Sequence, residues 1–240
     1  MKTILLVIAS LLLLSATGCG TPAVMTASRP PSYYEQTDLY SGTAGHDSLF
    51  SSDSELLSDE DVKRILGFHF NPQPLNRIAV MPMGQVRWFG WSDELDKAGT
   101  AVQMALIGRL KQSKSVYDAS YLPTLLVPDK KSIGYLREAA ARYQADLLLV
   151  YKASCMSYEK YKAFSPDKTK AYCNLEAILL DTRTGIVPFT ILVNRTFTAE
   201  EQGSDMNFYE TIRRAELKAL ESALTQVGDA VVEFLTGPQG

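Results

Sequence analysis

Beyond residue 58, short apolar runs alternate with longer segments in which apolar residues recur at helical spacing. Residues 77–82 form the first run and predict a buried strand. Ser92, followed by Asp93 and Glu94, predicts a helix start, because acidic side chains favour the positive end of the helix dipole. One apolar stripe follows and predicts packing on a sheet: Leu95, Ala98, Val102, Leu106 and Leu110.

The next two segments again predict a strand followed by a helix. Residues 116–122 predict a short strand, and residues 132–143 predict a helix that turns Leu136 and Ala140 to one side with Ile133 and Tyr143. Residues 145–151 predict a strand, and its consecutive apolar residues from Leu147 to Tyr151 predict burial on both faces. Ahead of these elements, Ser58 is a candidate N-cap for a short helix over residues 59–66, with Val62, Ile65 and Leu66 on one face.

Residues 147–158 and 170–180 predict a hairpin whose register the pattern itself selects. With Cys155 opposite Cys173, Lys152 faces Glu176, and apolar partners meet apolar partners further along the ladder. A slip of one residue would mix the two faces. The pattern therefore predicts a single antiparallel register.

The remaining segments predict one more strand and a long closing helix. Residues 186–197 read as a third antiparallel strand, with an edge or a bulge at Pro188, which cannot donate to the ladder. Asn207 is a candidate cap for a helix that Gly237 and Pro238 end. The order β-α-β-α-β-β-β-α predicts a single α/β sandwich with a mixed, largely antiparallel sheet.

The amino terminus reads as a targeting segment. Lys2 precedes an apolar run over residues 4–14, which is typical of a secretory signal and too short to span a bilayer. Ala16, Thr17, Gly18 and Cys19 match a bacterial lipobox, although alanine stands where leucine is usual. We therefore expect a signal peptide over residues 1–18 and acylation of Cys19, against the alternative of an ordinary cleaved signal.

The segment after Cys19 predicts a tether. Residues 19–58 are rich in Ser, Thr, Gly and Pro and show no apolar periodicity, so we expect a disordered, lipidated linker ahead of a periplasmic domain over residues 59–240. Gly20, rather than aspartate, follows the cysteine, and in the enterobacterial sorting rule this indicates the outer membrane. The expected lipid partner is thus the outer membrane, contacted through Cys19.

Charge and motifs exclude several classes of function. The 24 basic and 27 acidic residues give a net charge of −3, so the chain has no excess of positive charge for binding nucleic acid. The two histidines, His46 and His69, precede the predicted strands, so no histidine triad or multi-histidine metal site is expected. The chain contains no phosphate-binding loop and no nucleophile elbow. We expect no enzyme, cofactor or metal.

Cys155 and Cys173 are the two thiols of the predicted hairpin. In an oxidising compartment they can form a disulfide, which would stabilise the fold by roughly 3 kcal/mol in the chain-entropy model. The alternative is a pair of buried free thiols that pack as small apolar side chains.

Both tryptophans lie in one loop, WFGW, between the first strand and the first long helix. Trp88, Phe89 and Trp91, with Arg87 beside them, are candidates for an exposed patch that contacts the lipid interface or a neighbouring subunit. The alternative is that the rings cap the end of the sheet and belong to the core.

The lipobox, the strand RIAVMPM, the passage AARYQADLLLVYKAS, the segment NLEAILLDTRTG and the closing helix occur in an order that resembles a known family. It is the family of outer-membrane lipoproteins with a periplasmic domain like that of the curli-secretion channel subunit CsgG, which also includes LpoB and PelC. The resemblance covers residues 76–235 and implies a non-enzymatic accessory or assembly factor for export or assembly of a cell-surface protein or polymer. Its members include monomers and rings, so it is compatible with a homo-oligomer.

Two other functions stay open from the sequence. A peptidoglycan-synthase activator similar to LpoB would use the same tether and domain to reach a different envelope protein. A periplasmic hydrolase would need carboxylates that are distant in sequence to assemble in space.

Overall fold

The computed structural model describes residues 48–49, 57–83, 93–160, 167–205 and 207–237. By internal contacts the chain divides into Met1–Leu39 and Tyr40–Gly240, and every described residue belongs to the second unit. The elements in chain order are α1 (Asp59–Leu66), β1 (Asn76–Pro82), α2 (Asp93–Lys111), β2 (Val116–Tyr121), a short 3-10 helix (Thr124–Leu126), α3 (Ile133–Arg142), β3 (Leu147–Lys160), β4 (Lys168–Asp181), β5 (Phe189–Glu200) and α4 (Phe208–Thr236).

The five strands form one mixed sheet in the order β2-β1-β3-β4-β5. β1 pairs in parallel with β2 and β3, whereas β3, β4 and β5 are antiparallel neighbours. Side chains of α2 and α4 share one core cluster with the sheet, and side chains of α3 share the other. The predicted α/β sandwich with an antiparallel carboxyl-terminal half is confirmed.

The predicted register of the hairpin is confirmed. β3 and β4 pair from Leu147 opposite Asp181 to Lys160 opposite Lys168 without a shift, and Cys155 lies opposite Cys173. The first five residues of β3, 147–151, are all buried. Their side chains alternate between the two core clusters, as expected for a strand covered on both faces.

Close packing of α2 against α4 requires a glycine. A Cβ atom added at Gly228 would lie 2.7 Å from Cβ of Arg109, which is closer than two carbon atoms can pack. Leu106 and Leu110 of the predicted α2 stripe are fully buried in the same cluster. The absence of a side chain at residue 228 therefore lets the two helices approach over one face of the sheet.

The predicted start of the third antiparallel strand was wrong. We expected it at Ile186, but β5 begins at Phe189. The Asp181 carboxylate accepts a hydrogen bond from the Thr184 backbone N–H at 3.0 Å and extends the turn, while Arg137 Nε donates to the Thr182 carbonyl oxygen at 3.1 Å. These contacts hold the chain in a loop until it has passed Pro188.

The two predicted helix caps are confirmed, but α1 buries no residue. The Ser58 side chain accepts from the Asp61 N–H, and the Asn207 side chain accepts from the Glu210 N–H. The apolar residues of α1 are exposed, Leu66 most of all at 78%. Local capping therefore forms this helix without the support of the core.

Asp205 anchors the amino end of α4. Its carboxylate accepts two hydrogen bonds from the Arg214 guanidinium, at 2.6 and 2.9 Å, and further ones from the Gln202 N–H and the Thr211 hydroxyl. Arg214 also donates to the carbonyl oxygen of Glu200, at the end of β5. Burial by itself raises the pKa of Asp205, but these hydrogen bonds outweigh it and lower the pKa to about 2.

We expect the Asp205→Asn substitution to lower the free energy of unfolding by about 3 kcal/mol at neutral pH, because it removes the carboxylate charge that the buried Arg214 guanidinium contacts through two hydrogen bonds. Since the folded pKa lies below the ordinary value of 3.8, the ionised carboxylate stabilises the fold above pH 3.8. This contribution is lost as the pH falls towards 2. The difference in free energy of unfolding between wild type and variant should therefore narrow as the pH falls from 3.8 towards 2.

Denaturant unfolding at a series of pH values measures this difference. Asp229→Asn is the matched control, because Asp229 pairs with Arg109 at an exposed site and such pairs contribute little. Equal pH profiles for the two variants would show that Asp205 stabilises the fold no more than an exposed carboxylate does.

Candidate functional site

The predicted lipidation and interface residues lie outside the described parts of the chain. These are Cys19, Arg87, Trp88, Phe89 and Trp91. The predicted disulfide residues, Cys155 and Cys173, are described.

The described residues on either side of the aromatic loop show where the loop starts and where it ends. Before it, the Met83 N–H donates to the carbonyl oxygen of Tyr151 at 2.7 Å, which fixes the end of β1 against β3. After it, α2 begins at Asp93. The loop therefore leaves from the carboxyl end of β1, where the parallel strands β2 and β3 also end their pairing with β1. In α/β sheets such an end commonly carries binding sites.

Two tyrosine hydroxyls are buried at this end of the sheet. Tyr151 is 1% exposed, and its hydroxyl and that of Tyr121 make no hydrogen bond of normal geometry within the described ranges. Burial raises the pKa of both hydroxyls, and the neighbouring Tyr121 raises that of Tyr151 further. Both side chains therefore stay neutral at physiological pH and pack at the carboxyl end of β1.

The structure contains the disulfide Cys155–Cys173. Cys173 is fully buried, and its Sγ lies 3.5 Å from the carbonyl oxygen of Glu216 in α4. The disulfide therefore lies between the sheet and α4, a position that indicates a structural role.

Helix lengths decide which parts of the hairpin are covered. The 29 residues of α4 span about 44 Å, which matches the roughly 46 Å of a 14-residue strand. The 10 residues of α3 span only about 15 Å. On the α3 face, the buried positions of the hairpin are accordingly those near Leu148, Val150 and Leu180. The far part of the hairpin on that face is left without a helix among the described elements.

The uncovered part carries large apolar side chains, which we call the open face: Met156 and Tyr158 of β3, Tyr172 of β4 and Leu192 of β5. Tyr158 is 60% exposed, and its ring meets that of Tyr172 edge to face, with centroids 5.4 Å apart. Lys170 Nζ lies 4.9 Å from the centroid of the Tyr172 ring.

The open face was not predicted from the sequence. The alternation of residues in the hairpin indicates it, because each of the exposed residues 156, 158 and 172 has a small or polar neighbour on either side along its strand. That alternation separates the two faces of the sheet but does not show which of them a helix covers.

A polar cavity of about 200 Å³ lies at the opposite end of the sheet. Of its carboxylates, Asp181 holds the turn through Thr184, as described above. Asp146 accepts from the Arg77 backbone N–H at 2.9 Å and from Arg183 Nη2 at 2.7 Å. Both carboxylates therefore accept hydrogen bonds from backbone or side-chain groups in or near the turn. Their role is structural.

Within the ranges that the structure covers, no group of three or more His, Cys, Asp and Glu side chains could hold a metal ion. None of the described helices combines the length and hydropathy that a bilayer span requires.

No protein-family model matches the chain, and no curated protein matches it. Several solved structures are similar at low identity. A dodecamer of PelC from Paraburkholderia phytofirmans is 12% identical, with a TM-score of 0.31, and the match covers 66% of this chain and 91% of that one. A lipoprotein from Neisseria meningitidis is 11% identical, with a TM-score of 0.33 and coverage of 67% and 97%.

A minor lipoprotein from Acinetobacter baumannii gives a similar result, with 8% identity, a TM-score of 0.33 and coverage of 66% and 94%. Likeness at this level assigns neither a family nor a function to the chain.

We expect replacement of both hairpin cysteines, Cys155→Ser with Cys173→Ser, to lower the free energy of unfolding by roughly 3 kcal/mol, because the disulfide restricts the unfolded chain. Denaturant unfolding with and without a reducing agent measures the effect. Reduction should destabilise the wild type and leave the double variant unchanged. A wild-type midpoint that does not respond to reduction would mean that the bond contributes no stability.

Proposed function

We propose that the chain is a lipid-anchored envelope protein that acts by docking its α/β domain to a partner, and not by catalysis. The observation that carries the proposal is the lipobox-like run that ends in Cys19 after a short apolar segment. Several acyl chains on that cysteine would hold the protein stably at a membrane. Gly20 after the cysteine supports the outer membrane, with the domain on the periplasmic side.

The length of the tether supports docking at a distance from the membrane. A flexible linker of about 38 residues has a root-mean-square span of roughly 30 to 37 Å. A domain on such a linker can reach partners that stand away from the lipid surface, while the anchor confines it to one compartment.

Two surfaces suit a protein partner. The open face presents Met156, Tyr158 and Tyr172, and the aromatic loop presents Arg87 and Trp88 in its sequence. Aromatic side chains, methionine and arginine are enriched where protein interfaces are buried. Within this role, we infer an accessory factor for export or assembly of a cell-surface protein or polymer.

We expect the double substitution Trp88→Ser with Trp91→Ser, made in the full lipidated chain, to reduce partner capture after cross-linking of intact cells. The thermal unfolding midpoint should stay near the wild-type value, because an exposed patch contributes little to the core. Phe68→Ser is the matched control, since Phe68 is a 42% exposed aromatic residue that lines the polar cavity at the other end of the sheet. It should leave capture unchanged.

The identity of the captured proteins separates the alternatives. Components of an export machine would support the accessory role, and a peptidoglycan synthase would support an activator. Unfolding of the tryptophan variant would assign the rings to the core. Turnover of ester, glycoside or phosphate substrates that Asp181→Asn abolishes would contradict the docking function altogether.

A further inference from the structure

Strand β5 forms one edge of the sheet. It pairs with β4 over twelve consecutive residues, Phe189 to Glu200, without a shift in register. Among the described strands, β4 is its only partner. The other edge of β5 therefore presents a long row of backbone N–H and C=O groups in an extended, regular conformation, which is a template for a further strand.

This edge lacks most of the usual features that prevent strand addition. Natural edge strands are shortened, bulged, or carry charged side chains or proline. β5 has no lysine, no proline and no bulge over its length. Its basic residue is Arg195, which donates to the carbonyl oxygen of Asn194 in the same strand at 3.1 Å. The opposite edge strand, β2, has only six residues and an irregular register against β1 at Asn76 and Arg77. The two edges of the described sheet thus differ, and of these two strands β5 is the one suited to regular pairing.

A groove runs beside this edge, between β5 and α4. Its volume is about 530 Å³, and Phe197, which is 41% exposed, contributes an apolar side chain to it. Two basic residues, Arg195 and Lys218, and two acidic residues, Glu221 and Asp229, also line it. A surface with balanced charge can meet a copy of itself without net repulsion, which favours an identical partner over a strongly charged one.

We propose that β5 pairs antiparallel with β5 of a second copy of this chain, around a two-fold axis at Asn194, to form a continuous ten-stranded sheet. The inference goes beyond the docking function and does not depend on the lipid anchor. An isologous pair of this kind closes on itself, because each copy contributes the same edge once.

The register follows from the side chains. Residues directly opposite in an antiparallel pair point to the same face, so the axis must pass through a residue and not between two. An axis at Arg195 would set two guanidinium groups against each other. An axis at Asn194 pairs residues 189–199, keeps the arginines apart, and sets Ile191 of each copy opposite Phe197 of the other.

Cysteine substitutions at exposed positions of β5 test this register in the full chain. Asn194→Cys should give a covalent dimer on a non-reducing gel under mild oxidation, because Cα atoms of opposite residues lie within disulfide range. Thr198→Cys is the matched control. Its two copies would be about 26 Å apart in the proposed register, so no bond should form. A mixture of Thr190→Cys and Thr198→Cys chains should cross-link again, since residues 190 and 198 are opposite.

The mass of the detergent-extracted chain gives an independent measurement. We expect two copies for the wild type and one for Phe197→Lys, because the substitution places a charge in the apolar contact with Ile191. A wild-type monomer, a ring of more than two copies, or equal cross-linking by Asn194→Cys and Thr198→Cys would overturn the proposal. Cross-linking of Asn194→Cys to a different envelope protein would also overturn it, because the β5 edge would then bind that protein and not a second copy.

Discussion

β3 and β4 pair over fourteen positions in a single register, and the rest of the structure depends on that ladder. Because side chains alternate between faces, the register decides what each helix can cover. It directs Leu149 towards α2 and α4, and Leu148 towards α3. It also sets Cys155 opposite Cys173. A slip of one residue would move buried leucines into water and separate the disulfide.

The functional surfaces follow from how unequally the helices cover this ladder. α4 is about as long as the strands and covers most of one face, whereas α3 spans about 15 Å and covers only the start of the other. The uncovered remainder exposes Tyr158 and Tyr172. The sheet also ends in β5, whose edge no described strand occupies. The open face and the β5 edge thus lie on the antiparallel half of the sheet, away from the parallel strands.

The sequence predicted much of this fold because several constraints agreed. In the hairpin, apolar alternation and the Lys152–Glu176 pair select the same register, and the order of elements then follows. The start of β5 was mispredicted because the loop before it is held by Arg137, which is distant in sequence. The open face was missed because alternation does not reveal the length of the covering helix. For the aromatic loop around Trp88, composition alone cannot separate a core cap from an exposed patch.

The chain thus combines an α/β domain, three candidate contact surfaces and an amino-terminal segment suited to a lipid anchor. We propose that the mature protein is tethered through Cys19 and acts by docking. Mass spectrometry of the amino-terminal peptide of the membrane-extracted protein tests the anchor most directly. We expect a peptide that begins at Cys19 and carries the mass of a diacylglyceryl group with an additional acyl chain. An unmodified amino terminus, or one that begins at another residue, would contradict it.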